Sequence, residues 1–117
     1  MALRRVFIAN RGEIAVRILR TCRQLGLQTV VAVSAADRDS LAARLADRAL
    51  CVGPARSTDS YLQVDTLVHA ALASGCDAVH PGYGFLSERA AFARRCEEEG
   101  LVFIGPTPQQ IEAVGDK

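Results

Sequence analysis

The chain has 117 residues and carries 14 Lys or Arg against 13 Asp or Glu, which leaves a formal net charge of +1 at pH 7. This length is enough for one hydrophobic core and excludes a second independent domain. The balanced charge excludes the strongly basic surface by which proteins bind nucleic acids or anionic membranes.

The first residues of the chain, Met1–Arg5, lead directly into a predicted strand. They lack the apolar stretch and the small-residue cleavage site of a signal peptide. No apolar run approaches the ~18 residues of a membrane-spanning helix. We therefore expect a soluble cytoplasmic protein without a membrane or nucleic-acid partner.

The first elements alternate short apolar runs with helical periodicity. Val6–Ala9 predicts a strand, and a turn at Asn10–Gly12 leads into a helix that stops at Gly26. The apolar positions of this helix are Ile14, Ile18, Cys22 and Leu25. Thr29–Val33 predicts the second strand. Alternation of this kind is typical of parallel strand pairing.

The second helix and third strand repeat the pattern. Asp39 or Ser40 is expected to cap the helix, in which Leu41 and Leu45 face inward. Ala49–Val52 predicts the third strand, which ends at a Gly-Pro step.

A polar loop at residues 55–60 leads to a third helix that ends at Gly75. The residues expected on its buried side are Leu67, Val68, Ala71 and Leu72. Asp77–His80 predicts the fourth strand, and Ser87 is expected to cap the helix after it.

In that fourth helix Phe92 and Cys96 are expected to face inward, and Leu101–Ile104 predicts the fifth strand. The last helix opens on Thr107–Gln110, a capping box with proline at the first helical position, and ends at Gly115.

These elements predict an α/β fold, a Rossmann-like and mostly parallel five-stranded sheet flanked by helices. Right-handed crossovers around a central first strand favour the order 3-2-1-4-5, with the winding direction reversed between strands 1 and 4. Ligands of such sheets bind in the crevice at that reversal. The loops that arrive there are Asn10–Gly12 and His80–Phe85.

The turn at Asn10–Gly12 has one glycine and therefore lacks the Gly-x-Gly-x-x-Gly fingerprint of dinucleotide binding. Either it is a structural turn, or the free N–H groups of the following helix bind a phosphate there, although Glu13 would repel that phosphate. Asp37 follows the second strand, where a ribose-binding acid is found in dinucleotide-binding proteins.

The loop His80–Glu88 places glycines on both sides of Tyr83. Such a loop is either a tight turn or a binding site, in which the backbone approaches a planar ligand and the ring supplies a stacking face. Its place at the predicted crevice favours binding. Pro81 restricts His80 to an extended conformation, so His80 is expected to bond locally and not to act as a base. His69 is expected in solvent.

Arg17, Arg20, Arg23 and Gln24 form a polar, mostly basic ridge on the first helix, which is either solvated or a contact with another subunit. The widely spaced Cys22, Cys51, Cys76 and Cys96 lie in apolar stretches and are expected to be buried thiols in a reducing compartment. Neither a metal constellation nor a Ser or Cys nucleophile motif is visible.

Five blocks of the chain resemble the biotin carboxylase component of biotin-dependent carboxylases, in the same order and spacing. They are Ile8–Ala15, Ala36–Asp39, His80–Glu88, Phe103–Pro106 and Gly115–Lys117. The resemblance extends from end to end of the chain. It identifies residues 1–117 as an amino-terminal pre-ATP-grasp domain of the kind that serves acyl-CoA carboxylases, without the ATP-grasp and carboxyl-terminal domains.

The resemblance implies an ATP-dependent ligase that carboxylates the ureido nitrogen of protein-linked biotin, with bicarbonate as co-substrate and Mg²⁺ on the ATP. Lys117 would contact the ATP phosphates, Tyr83 and Gly84 would line the biotin pocket, and Glu88 would help to fix basic residues of the site. No catalytic residue or metal ligand is expected within the chain, so the chain alone is expected to be inactive.

The implied partners are a biotin carboxyl carrier protein or domain, a carboxyltransferase, and a second copy of the chain. The homodimer contact would include the first helix at Arg17 and Arg20. Two alternatives stay open: a free-standing Rossmann-like module that binds a nucleotide or partner without catalysis, and an ATP-grasp relative that acts on a purine intermediate or carbamoyl phosphate.

Overall fold

The computed structural model describes residues 3–115. They form a five-stranded sheet in the order β3-β2-β1-β4-β5, in which every neighbouring pair is parallel. The strands are β1 Arg5–Ile8, β2 Gln28–Ser34, β3 Arg48–Gly53, β4 Ala78–His80 and β5 Val102–Phe103. The predicted fold class and strand order are confirmed.

Within residues 3–115, five α-helices connect and flank the strands. They are α1 Gly12–Gln24, α2 Leu41–Leu45, α3 Val64–Ala73, α4 Ala90–Glu98 and α5 Pro108–Gly115. Ser40 caps α2 by accepting a hydrogen bond from the backbone N–H of Ala43 at 3.2 Å. The capping box of α5 is also confirmed, since Thr107 and Gln110 each accept the other's backbone N–H through a side-chain oxygen.

The sheet is buried on both faces because helices cover each of them. Phe7 of β1 packs in the core that contains residues of α3 and α4, whereas Val6 and Ile8 pack in the core with α1 and α2. Alternate side chains of a strand point to opposite faces, so the central strand contributes to both cores.

Two predicted core positions are wrong, because helical rotation carries them away from the sheet. Leu41 and Leu72 are 48% and 40% exposed. In the short helix α2 the buried position is Ala42, and in α3 the buried side ends at Ala71. Each leucine stands one residue, and thus about 100° of rotation, from its buried neighbour.

The segment before α4 also differs from expectation. Phe85–Glu88 forms a short 3-10 turn in which the backbone N–H of Ser87 donates to the carbonyl of Gly84 at 2.9 Å. Helix α4 begins three residues after Ser87, so Ser87 does not cap it.

One of the four cysteines departs from the prediction. Cys22, Cys76 and Cys96 are buried free thiols, as expected, but Cys51 is exposed. Cys51 lies on β3, which has a neighbouring strand on one side only. Side chains of such an edge strand are covered less completely than those of β1.

Candidate functional site

The loops that follow β1 and β4 meet at the carboxyl edge of the sheet, as predicted. Ile8 pairs with His80 in the parallel register. The backbone N–H of Ala9 donates to the carbonyl of His80 at 3.0 Å and extends that contact to the start of the loops. The Tyr83 loop, defined here as residues 81–84, therefore starts beside the residues that enter α1.

Asn10 joins the two loops. Its side chain is completely buried, and Nδ2 donates to the carbonyl oxygens of both Pro81 and Tyr83, each at 2.8 Å. Its Oδ1 accepts from the backbone N–H of Arg11 at 2.8 Å. Asn10 was not singled out as a site residue from the sequence, although a polar residue directly after a wholly apolar strand was an available signal.

His80 holds the Tyr83 loop from its own strand. Its Nδ1 accepts the backbone N–H of Gly82 at 3.0 Å, which confirms the expected local hydrogen bond. Burial lowers the pKa of His80. Because Nδ1 is an acceptor here, the neutral ring carries its proton on Nε2.

The two glycines of the Tyr83 loop have the same backbone conformation and different surroundings. Both have a backbone φ of +68°, a conformation that residues other than glycine rarely adopt. A Cβ on Gly82 would lie 2.6 Å from Nδ2 of Asn10 and 2.9 Å from Cγ2 of Ile14, whereas a Cβ on Gly84 would meet nothing within 4 Å. Gly82 is thus packed against Asn10 and α1, and Gly84 faces open space.

Tyr83 projects its ring outward from a fixed backbone. The residue is 74% exposed. It borders a mainly apolar groove of about 490 Å³ between α1 and the strands β1 and β4, which Ile14, Ile18, Leu25 and Arg17 also line. An exposed aromatic ring above an apolar groove suits a planar ligand.

A second cluster of side chains at the same edge contains an ion pair between Arg11 and Asp37. The guanidinium donates to both carboxylate oxygens, at 2.8 and 3.0 Å. Asp37 also accepts from the hydroxyl of the buried Tyr61, and Tyr61 accepts the backbone N–H of Ser34 at 2.9 Å. Since Asp37 is engaged within the fold, the structure gives no support to a ribose-binding role for it.

The pKa values of this cluster follow from its contacts. The hydrogen bond from Arg11 lowers the pKa of Asp37 to about 2, against the opposing effect of burial. Asp37 in turn raises the pKa of Arg11. Burial, assisted by the hydrogen bond to Asp37, raises the pKa of Tyr61. The cluster therefore contains a fixed carboxylate, a fixed guanidinium and a neutral phenol.

Among the other predicted residues within 3–115, Glu88 and Arg20 lie apart from the groove beside Tyr83, whereas Arg17 lines it. Glu88 is exposed and lines a separate cavity of about 640 Å³ with residues of α5, among them Gln110 and Ile111. Arg17 and Arg20 are exposed on α1. Lys117, predicted as the ATP ligand, lies outside the described residues.

Within residues 3–115, no three His, Cys, Asp or Glu side chains are grouped closely enough to hold a metal ion. The described helices include none with the length and apolar character to cross a membrane.

Comparison with known proteins gives consistent results. Residues 2–111 match the family described as "Biotin carboxylase, N-terminal domain". Biotin carboxylase 1 of Bacillus subtilis is 52% identical over 115 residues, which cover 98% of this chain and 26% of that protein. The mitochondrial methylcrotonoyl-CoA carboxylase subunit alpha of Oryza sativa is 53% identical, over 99% of this chain and 16% of that protein.

A solved structure agrees with these sequences. The biotin carboxylase domain dimer of the 2-oxoglutarate carboxylase from Hydrogenobacter thermophilus, in complex with MgADP, ADP and bicarbonate, matches with a TM-score of 0.91 at 44% identity. The match covers 96% of this chain and 24% of that one. The chain thus spans about a quarter of the length of the bacterial biotin carboxylase and of the solved domain, and 16% of the plant carboxylase subunit.

Proposed function

Because the chain belongs to the biotin carboxylase N-terminal domain family, we propose that it is the amino-terminal part of an ATP-dependent biotin carboxylase. This enzyme, a ligase that forms a carbon–nitrogen bond, would carboxylate carrier-linked biotin with bicarbonate for an acyl-CoA carboxylase. The family match over residues 2–111 supports this assignment. The methylcrotonoyl-CoA carboxylase relative supports a CoA thioester as the final acceptor.

The exposed ring of Tyr83 is the observation on which the site assignment rests. An aromatic side chain that is 74% exposed beside a mainly apolar groove offers a stacking face to a planar ligand. We assign Tyr83 and Gly84 to one wall of the biotin pocket. The open space above Gly84 fits this role, since a ligand can approach its backbone there.

The cofactors of the intact enzyme are then ATP with Mg²⁺ and the biotin of the carrier protein. Bound biotin supplies the ureido nitrogen that receives the carboxyl group. Lys117 would contact the ATP phosphates, and Glu88 would help to fix basic residues of the site. The chain covers 26% of the length of its biotin carboxylase relatives, so the 117-residue chain is expected to be inactive by itself.

The partners are a biotin carboxyl carrier protein or domain, a carboxyltransferase and a second copy of the enzyme. The exposure of Arg17 and Arg20 on α1 leaves both side chains available for a homodimer contact. The exposed free thiol of Cys51 suits a reducing compartment such as the cytoplasm.

The test is the ATP- and bicarbonate-dependent carboxylation of free biotin by the intact enzyme, followed as ADP release. Tyr83→Ala is expected to raise the KM for biotin about fivefold, since an aromatic contact contributes about 1 kcal/mol. The KM for ATP should not change. Tyr83→Phe, which keeps the ring, is the matched control and should behave like the unmodified enzyme.

Two results would contradict the proposal. Biotin-dependent ADP release by the purified 117-residue chain would place the catalytic machinery within it. An unchanged KM for biotin in Tyr83→Ala would remove Tyr83 from the pocket.

A further inference from the structure

We propose that Asn10 is a positioning residue that sets the place of Tyr83 and Gly84 at the biotin pocket. This inference rests on the proposed function of the Tyr83 loop. Asn10 offers no surface to a ligand, because its side chain is completely buried beneath the loop. It acts through the two carbonyl oxygens that it holds, those of Pro81 and Tyr83.

Both N–H donors of the Asn10 side chain are committed to this task. A carboxamide has two N–H donors and one carbonyl acceptor. The donors bind the two loop carbonyls at 2.8 Å, and the acceptor binds the backbone N–H of Arg11 at 2.8 Å. The third bond fixes the carboxamide to the start of α1, so the loop is held in a fixed place relative to the sheet.

The loop has few other anchors among the described residues. His80 accepts the N–H of Gly82, and the carbonyl of Gly84 accepts from Ser87 in the following turn. Tyr83 does not anchor itself, because its ring lies in solvent. The backbone of Tyr83 between these two bonds is therefore placed by Asn10.

Asn10 and Gly82 also fit each other sterically. A Cβ on Gly82 would come within 2.6 Å of Nδ2 of Asn10. The loop consequently lies directly on the carboxamide, and a change on either side of this contact displaces the loop. Gly82→Ala perturbs the contact from the loop side and leaves the Asn10 side chain in the protein.

The experiment compares Asn10→Ala, Gly82→Ala and Tyr83→Ala in the intact enzyme, with Thr29→Val as control. Thr29 is also a buried polar residue, but it bonds to Asp47 at the amino end of β2, away from the loop. Separate KM values for biotin and ATP are measured, because loss of folded protein lowers the rate with every substrate and leaves each KM unchanged.

Asn10→Ala and Gly82→Ala are each expected to raise the KM for biotin about tenfold and to leave the KM for ATP unchanged. The double variant Asn10→Ala/Tyr83→Ala should have a KM for biotin less than twice that of Asn10→Ala, because a displaced ring already contributes little to binding. Thr29→Val should lower the amount of folded enzyme and change neither KM.

The outcomes separate the two proposals. An unchanged KM for biotin in Tyr83→Ala contradicts the assignment of the loop to biotin. A raised KM for biotin in Tyr83→Ala, together with an unchanged KM for biotin in a folded Asn10→Ala or Gly82→Ala, contradicts the positioning role of Asn10. This result leaves the assignment of the loop to biotin intact. The positioning role is also contradicted if the effects of Asn10→Ala and Tyr83→Ala on the KM for biotin are fully additive in free energy. If Asn10→Ala does not fold, the KM for biotin of the folded Gly82→Ala enzyme tests the positioning role: a raised value supports it and an unchanged value contradicts it.

Discussion

The hydroxyl of Tyr61 donates to Oδ2 of Asp37 across 2.5 Å, although 24 positions separate the two residues in the chain. Asp37 belongs to the turn after β2, and Tyr61 follows the loop after β3. The same hydroxyl accepts the backbone N–H of Ser34 at the end of β2. One buried phenol thus joins the two loops on the β2 and β3 side of the carboxyl edge.

Tyr61→Phe is expected to lower the free energy of unfolding by about 1–3 kcal/mol, because it leaves the buried N–H of Ser34 without a partner. Urea denaturation of the chain measures this loss. Tyr83→Phe removes a hydroxyl from an exposed residue and is the matched control, with an expected change below about 0.5 kcal/mol. Equal effects of the two substitutions would show that the Tyr61 hydroxyl contributes nothing specific.

Asp37 is expected to make the fold sensitive to acid. Its pKa is lowered to about 2 in the folded chain, first by the hydrogen bond from Arg11. A carboxyl whose pKa is lowered by folding contributes stability above its unfolded pKa, and this contribution is lost as the pH falls from about 4 towards 2. Since Arg11 is half exposed, solvent screening limits the contribution to about 1–2 kcal/mol.

Asp37→Asn should remove that part of the pH dependence. The unfolding free energy of the variant, measured by urea denaturation between pH 2 and 6, should change less steeply than that of the unmodified chain. Asp65→Asn is the control, because Asp65 is largely exposed and pairs with Arg95 on the surface. An identical pH profile for Asp37→Asn and the unmodified chain would contradict the assigned ion pair.

His80 should impose a second pH dependence, at higher pH. Burial lowers its pKa in the folded chain, so its contribution to stability is present above the unfolded pKa of about 6.5 and declines as the pH falls below it. Protonation of Nδ1 also breaks the hydrogen bond from Gly82.

His80→Asn keeps an acceptor at the δ position and does not titrate, so its stability between pH 5 and 7.5 should be flatter than that of the unmodified chain. His69→Asn, which changes a histidine exposed on α3, is the control. Unfolding free energies at several pH values compare the three proteins. A steeper slope for His80→Asn would be incompatible with a lowered pKa of His80.

Alanine substitutions at Gly82 and Gly84 should differ in their cost. Both residues have φ +68, which makes an alanine unfavourable by about 1 kcal/mol. At Gly82 the new Cβ also meets Asn10 and Ile14, and such overpacking adds about 1–3 kcal/mol. In thermal unfolding, Gly84→Ala should therefore have a higher Tm than Gly82→Ala. The reverse order would mean that the loop does not lie against Asn10.

Features that depend on local sequence were the ones that could be predicted. The apolar runs, the cap at Ser40 and the box of Thr107 and Gln110 each involve residues a few positions apart. Right-handed crossovers then restricted the strand order enough to place the Tyr83 loop beside β1.

Contacts between distant loops could not be predicted in this way. The bond from Tyr61 to Asp37 depends on how two loops approach each other in space. The role of Asn10 depends on the carbonyl oxygens of Pro81 and Tyr83, which lie 71 and 73 positions further along the chain. Cys51 was predicted to be buried because its neighbours are apolar, and its exposure follows only once β3 is known to be an edge strand.

The fixed backbone beneath the free ring of Tyr83 has a consequence for the entropy of association. A ligand that stacks on this ring has to immobilise a side chain with two torsions, since the main chain beneath it is already ordered. Little of the contact energy is then spent on ordering the protein. Carrier-linked biotin could therefore bind at Tyr83 on encounter, because the Tyr83 loop does not have to fold first.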